Sequence, residues 1–240
     1  MPYRVWVSAS VQALQPLANP SDAEGMTRYM KNISPYLGVR TPARRSALKT
    51  AWKTLPALSQ SDLARFAQAM WQLPEREYQY AATDAFDWYR GALSDDFLGD
   101  PVQHLVSTKS WWDTVDSLGS SIITPLVNTY PELTSTMWEW LESKNIWLAR
   151  AAIQHQRGNR QQTDLQLLFA MCEVHVTDRE FWLAKAIGWA LRDASAYWPN
   201  EVQGFVNKHP DIAPVARREA QRGIDRALSS SADAGASSHR

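Results

Sequence analysis

Apolar positions along this chain recur at intervals of three and four residues, the spacing of a buried helix face. In DREFWLAKAIGWALRDAS, for example, Leu183, Ile187, Ala190, Leu191 and Ala194 fall on one stripe. The same pattern predicts helices over 3–15, 21–33, 41–54, 60–72, 75–92, 100–106, 110–127, 131–142, 145–158, 162–173, 178–197, 199–208 and 211–227. Pro74, Pro101, Pro131 and Pro199 stand at or near helix starts, where a missing N–H costs little. No segment alternates apolar and polar residues between Asn-Gly type turns, so no strand is predicted. Short helices without a sheet make either an irregular bundle or a stack of helix pairs. PEREYQYAATDAFDWY, NIWLARAAIQHQ and DREFWLAKAIGWAL repeat an aromatic, a charge and a small-residue helix, which favours an all-α α-solenoid of HEAT-like helical repeats. One such domain is expected over 1–228, followed by a disordered polar tail over 229–240.

The stretch KSWWDTVDSLG complicates the picture, because two tryptophans and two aspartates crowd into six positions. Ser110 and Asp113 resemble a capping box, which would start a helix at Trp111 and give Asp113 a structural role. At about 100° per residue, Trp111, Val115, Leu118 and Ile122 then share a core stripe. Trp112, Asp116, Gly119 and Ile123 form a second stripe, so that Trp112 and Asp116 are neighbours one turn apart. Trp189 lies nearly opposite the core stripe of its own segment, beside Trp182 and Lys185. For Trp182 the simpler reading is packing on an adjacent repeat. In NIWLARAAIQHQR, Arg150, Gln154 and Arg157 align as a polar or phosphate-facing stripe.

Composition narrows the chemistry. Twelve tryptophans are unusual in 240 residues, and indoles serve for stacking on bases or gripping cations as well as for cores. The formal net charge of zero argues against a protein that coats nucleic acid indiscriminately. Charge is unevenly placed, however. Residues 25–61 carry seven basic residues, Arg44 and Arg45 among them, and no acid, whereas 62–106 carry eight acids against three basic residues. A basic run is usually a solvated face, but successive repeats could present it along one concave, DNA-binding track. The lone Cys172 excludes a disulfide framework, and the five histidines show no metal-ligand spacing. No Gly-rich phosphate loop is visible, so neither metal nor cofactor is expected. The N-terminus lacks a signal-peptide run and no window approaches a membrane span, which points to a cytoplasmic protein.

Aromatic faces, a carboxylate and aligned basic residues together suit cleavage of a glycosidic bond to a positively charged base in DNA. The residues YMKNISPYLGVRTPARR (29–45), PEREYQYAATD (74–84), KSWWDTVDSLGS (109–120), NIWLARAAIQHQ (145–156) and KAIGWALRD (185–193) resemble the AlkD-like DNA alkylation repair glycosylases, built from HEAT-like repeats. The resemblance implies a monomeric, monofunctional enzyme of base excision repair in bacterial cytoplasm. Its expected partner is double-stranded DNA carrying N3- and N7-alkylated purines, released by hydrolysis without deep flipping of the base. Carried across by motif, Asp116 is the carboxylate that assists departure of the base, and Trp112 and Trp189 are the aromatics at the lesion. Tyr29 matches an aromatic lining the same cleft. Arg150 is the candidate active-site arginine, with Ala149 standing where the family has a second one. Lys185, Arg157, Arg44 and Arg45 complete the expected DNA contacts. The competing class is a non-catalytic helical-repeat scaffold that binds DNA or protein, and a metal-dependent nuclease lacks the clustered acids it would need.

Overall fold

A computed structural model describes residues 1–89 and 91–237, with the backbone alone over 231–237. The described residues form helices and no strands, as the periodicity predicts. Contacts group the chain into two compact units, Met1–Leu126 and Val127–Arg240.

In the first unit, α1 (Pro2–Leu14), α3 (Thr41–Trp52), α4 (Gln60–Gln72) and α5 (Arg76–Trp88) pack as neighbouring pairs. Their shared core is aromatic. Trp6 stacks on Trp52 with ring centroids 5.1 Å apart, and Phe66 meets both rings edge-on. The buried indoles are satisfied internally, Trp6 donating to Pro56 O and Trp52 to Ser10 Oγ. Between them, α2 (Pro20–Tyr29) is capped by Asn19, whose side chain accepts from the N–H groups of Ser21 and Asp22. The loop that follows is tied to α5 by one buried carboxylate. Glu77 accepts the backbone N–H groups of Leu37, Gly38 and Val39 at 2.9–3.0 Å. Gly38 is obligatory there: its φ is +84°, and a Cβ would lie 2.1 Å from Asn19 O.

After α6 (Asp100–Ser107), the 110–127 segment becomes α7 (Trp112–Leu118), a π-helical turn over Gly119–Ile123 and α8 (Thr124–Thr129). The wider turn shifts the phase of the helix. Val115, Leu118 and Ile122 are buried as expected, and Ile123 is buried with them; Trp111, in extended backbone just before α7, is only half-buried instead of joining the core stripe. The capping box does not form. Ser110 Oγ donates to Val106 O instead, and the residue preceding α7 makes no side-chain cap.

The second unit comprises α9 (Thr134–Leu141), α10 (Ile146–Gln154), α11 (Leu165–Val174), α12 (Phe181–Ser195), α13 (Pro199–Lys208) and α14 (Pro214–Ser237). Side chains of Asn145, Asp164 and Glu180 cap α10, α11 and α12. The α12 stripe read from the sequence is buried in full. Two glycines set how closely α14 lies on it. A Cβ on Gly188 would meet Ala216 and Glu219 within 3.1 Å, and one on Gly223 would lie 2.3 Å from Ser195 Oγ. Helical backbone runs on to Ser237, and the end of the expected polar tail, 238–240, lies outside the described residues.

Candidate functional site

The first unit holds a cleft of about 480 Å³ lined by Tyr29, Tyr36, Arg44, Tyr80, Trp112, Asp113, Asp116 and Ser117, among others. Trp112 and Asp116 lie one turn apart on α7 and both line it, as the helical sorting proposes. Tyr29, 71% exposed at the end of α2, meets Trp112 edge-on with centroids 6.4 Å apart.

What holds α7 in place is an ion pair that local sequence does not reveal. Arg76, fully buried at the start of α5, engages all five of its N–H groups. Its Nε and Nη2 grip Asp113 at 2.9 and 2.7 Å, a bidentate pair. The remaining donors reach Thr114 Oγ1, Gln79 Oε1 and Lys109 O. Tyr80 also donates to Asp113, and its hydroxyl lies 3.2 Å from that of Tyr36. Burial, reinforced by the Asp113 charge, pushes the Tyr80 phenol well above the ordinary tyrosine range, and burial raises Tyr36 to about 12. Both stay protonated at neutral pH, and with the Tyr80 proton donated to Asp113 the Tyr36 hydroxyl donates to Tyr80. Lys109 adopts a left-handed backbone, with φ at 49°, and sends its ammonium back to Gln72 O and Leu73 O at the end of α4. Asp113 is therefore an anchor for α7 through Arg76, and not a helix cap.

Arg44 and Arg45 come from the basic run, yet the neighbouring acidic run absorbs much of their charge. Asp84 on α5 accepts from Arg44 Nε at 2.9 Å and from Arg45 Nε at 2.8 Å. Arg44 is buried and lies over the Tyr80 ring, 4.9 Å from its centroid. Arg45 keeps its side chain 60% exposed. The uneven charge along the chain thus resolves partly into pairing between α3 and α5.

The second unit gathers the remaining candidates around one indole. Trp189, half-buried on α12, has the cationic groups of Arg150, Arg157 and Lys185 at 5.6, 5.2 and 5.7 Å from its ring. Of the stripe of Arg150, Gln154 and Arg157, the first two are buried: Arg150 is 1% exposed and donates to Trp182 O, and Gln154 is buried beside it, whereas Arg157 is half-buried. Burial of a guanidinium at that spot follows from the two indoles that flank it, Trp182 and Trp189. Trp182 packs on Trp147 of α10 with centroids 5.7 Å apart, which is the packing role expected of it. Lys185 does not point freely into solvent. Its ammonium pairs at 2.8 Å with the buried carboxylate of Glu219, which also accepts from Arg192 and Arg222. Burial pushes the Glu219 carboxyl up, but these cations more than offset it and hold the carboxyl below its ordinary value.

The network of Arg76, Asp113 and Tyr80, the Glu77 loop anchor and the Glu219 cluster were not found by sequence reasoning. Arg76 and Glu77 stand adjacent in PEREYQ, and a charged pair at a helix start was the one available signal. Among the described residues, no group of three His, Cys, Asp or Glu side chains is placed to hold a metal ion, and no helix is long and apolar enough to cross a membrane.

With this geometry in hand, the comparisons with known proteins are specific. A family model described as DNA alkylation repair enzyme matches residues 11–224. The chain belongs to this family. A structure titled as a predicted DNA alkylation repair enzyme from Enterococcus faecalis aligns at 29% identity with a TM-score of 0.76, covering 85% of this chain and 94% of that one. AlkD2 from Streptococcus mutans aligns at 17% identity and a TM-score of 0.55, covering 86% and 97%. The smu.31 protein of Streptococcus mutans UA159 aligns at 18% and 0.52 over the same shares. The last two are likenesses of fold. No curated protein matches the chain.

Proposed function

We propose that this DNA alkylation repair protein is a monofunctional DNA glycosylase that hydrolyses the N-glycosidic bond of cationic N3- and N7-alkylated purines in double-stranded DNA. The observation that carries the reading is the cleft in which Trp112 and Asp116, one turn apart, face the same space as the exposed ring of Tyr29. An alkylated purine is already a good leaving group, so the enzyme needs little acid catalysis. As the C1′–N bond stretches, the sugar becomes oxocarbenium-like. The Asp116 carboxylate stabilises that charge and orients the attacking water. Trp112 and Tyr29 pack against the sugar and backbone. The rigid footing of α7, set by Arg76 and Asp113, keeps the Asp116 carboxylate in register with the reacting carbon. The pairing of Lys185 with Glu219 disfavours a Schiff-base lyase step at that lysine.

The test is release of 7-methylguanine from methylated duplex DNA. Wild-type protein is expected to release the base and Asp116→Asn to retain DNA binding while losing release. A wild type that binds duplex DNA without releasing base would instead support the scaffold reading.

A further inference from the structure

We propose that the hydroxyl oxygen of Tyr36 accepts a hydrogen bond from the attacking water and, together with Asp116, holds that water against the sugar carbon. The inference rests on the glycosylase reading and adds to it a second group that touches the nucleophile. Tyr36 stands on the loop between α2 and α3, and it lines the same cleft as Asp116.

The first argument is the direction of a hydrogen-bond chain. Asp113, gripped by two N–H groups of Arg76, is a carboxylate and only accepts. The Tyr80 proton therefore goes to Asp113, and the Tyr36 proton goes to the Tyr80 oxygen 3.2 Å away. With its proton committed, the Tyr36 oxygen can only accept from a group in the cleft. Each hydroxyl that donates becomes a stronger acceptor, so the chain rooted at the buried ion pair sharpens that property at its open end. Burial raises the Tyr36 phenol to about 12, so it stays neutral and adds no charge beside the carboxylates.

The second argument is placement. The chain leads from Tyr36 back to α7: Tyr36 meets Tyr80, Tyr80 meets Asp113, and Asp113 lies three positions before Asp116 on one face of the helix. The loop is held still, because Glu77 binds the N–H groups of Leu37, Gly38 and Val39 directly after Tyr36. The Tyr80 ring is held as well, by the Arg44 guanidinium over its face. A water attacks best when both of its protons are accepted and a lone pair is left to face C1′. Asp116 takes one proton's bond and Tyr36 the other. As the lone pair forms the C1′–O bond, the C1′–N electron pair leaves with the purine and neutralises its positive charge. The proton shed by the new hydroxyl passes to Asp116 and on to solvent, and Tyr36 keeps its own proton throughout.

The experiment is single-turnover release of 7-methylguanine and 3-methyladenine from methylated duplex DNA by the full chain and by Tyr36→Phe, with and without added methanol. Tyr36→Phe is expected to release both bases about tenfold more slowly, the value of one hydrogen bond lost from a transition state, with duplex affinity retained. Methanol carries one O–H and must turn its methyl group toward the second acceptor. Capture of the sugar as its 1′-methyl ether, relative to hydrolysis, should therefore rise in Tyr36→Phe by about the factor that hydrolysis loses. An undiminished rate overturns the proposal, and so does an unchanged ratio of methanol to water capture, since a purely structural Tyr36 slows both alike. Slowing confined to one of the two bases also overturns it, by placing the hydrogen bond on the purine. A wild type that releases neither base sinks the glycosylase reading and this inference with it, whereas release by the wild type with an unchanged ratio in Tyr36→Phe sinks this inference alone.

Discussion

Replacing Asp113 by alanine removes the carboxylate that faces Arg76, whose side chain is 1% exposed, and leaves a buried guanidinium without its counter-charge. Breaking such a pair by deleting one partner costs about 3–5 kcal/mol, much of it the penalty of the orphaned charge. For a chain of 240 residues each kcal/mol moves the midpoint of thermal unfolding by about 2–4 °C, so a fall of about 6–20 °C is expected. Tryptophan fluorescence during heating is a suitable assay, since Trp111 and Trp112 flank the site of the change. The double variant Arg76→Met with Asp113→Leu removes both charges and should recover at least half of the loss. Recovery stays incomplete because Lys109 O and Gln79 lose their shared donor. A fall below about 3 °C in Asp113→Ala, or a double variant as unstable as the single one, would refute the claim that this ion pair anchors α7.

Other expectations follow from single side chains. Gly38→Ala must relieve a contact of 2.1 Å with Asn19 O at positive φ, so it should destabilise the first unit by more than the 1–2 kcal/mol that a left-handed backbone alone costs a side chain; urea unfolding at matched m-value checks it. Glu219 has a depressed pKa, so its contribution to stability is present above the ordinary glutamate range and lost as pH falls through the folded value. The gap in melting temperature between wild type and Glu219→Gln should therefore be wide at pH 7 and close in strong acid, and a gap independent of pH would contradict the pairing. Cys172 is fully buried and burial raises its thiol, so a thiol reagent should label it only after unfolding, whereas rapid labelling of native protein would contradict the packing of α11.

Much of the helical frame was legible because it depends on spacing that any window of the sequence displays. Leu183, Ile187 and Leu191 fall on one face whatever the rest of the chain does. The pair of Trp112 and Asp116 was legible for the same reason, since positions one turn apart must share a face. Asp113 was misread because the contest between a local cap and a distant partner cannot be settled locally. Arg76, 37 positions away, offers it two charge-assisted bonds, and a cap offers one. Arg150 shows the same limit. Its stripe reads as polar and exposed, but the indoles of Trp182 and Trp189 close over it, and they come from a segment more than thirty residues distant. The π-helical turn at Gly119–Ile123 also escaped, because one extra residue in a turn leaves the apolar spacing nearly intact while rotating everything after it.

The central claim is that Asp116 stabilises the developing charge on a sugar whose base is a cationic purine. Single-turnover release of 7-methylguanine from a methylated duplex, with Asp116→Asn compared to wild type at saturating protein, addresses it most directly. The account predicts measurable release by the wild type and a rate at least about a hundredfold lower in the variant, the scale of losing one preorganised charge-stabilising group, with duplex binding retained. Absence of release by the wild type, or an unimpaired rate in Asp116→Asn, would contradict it.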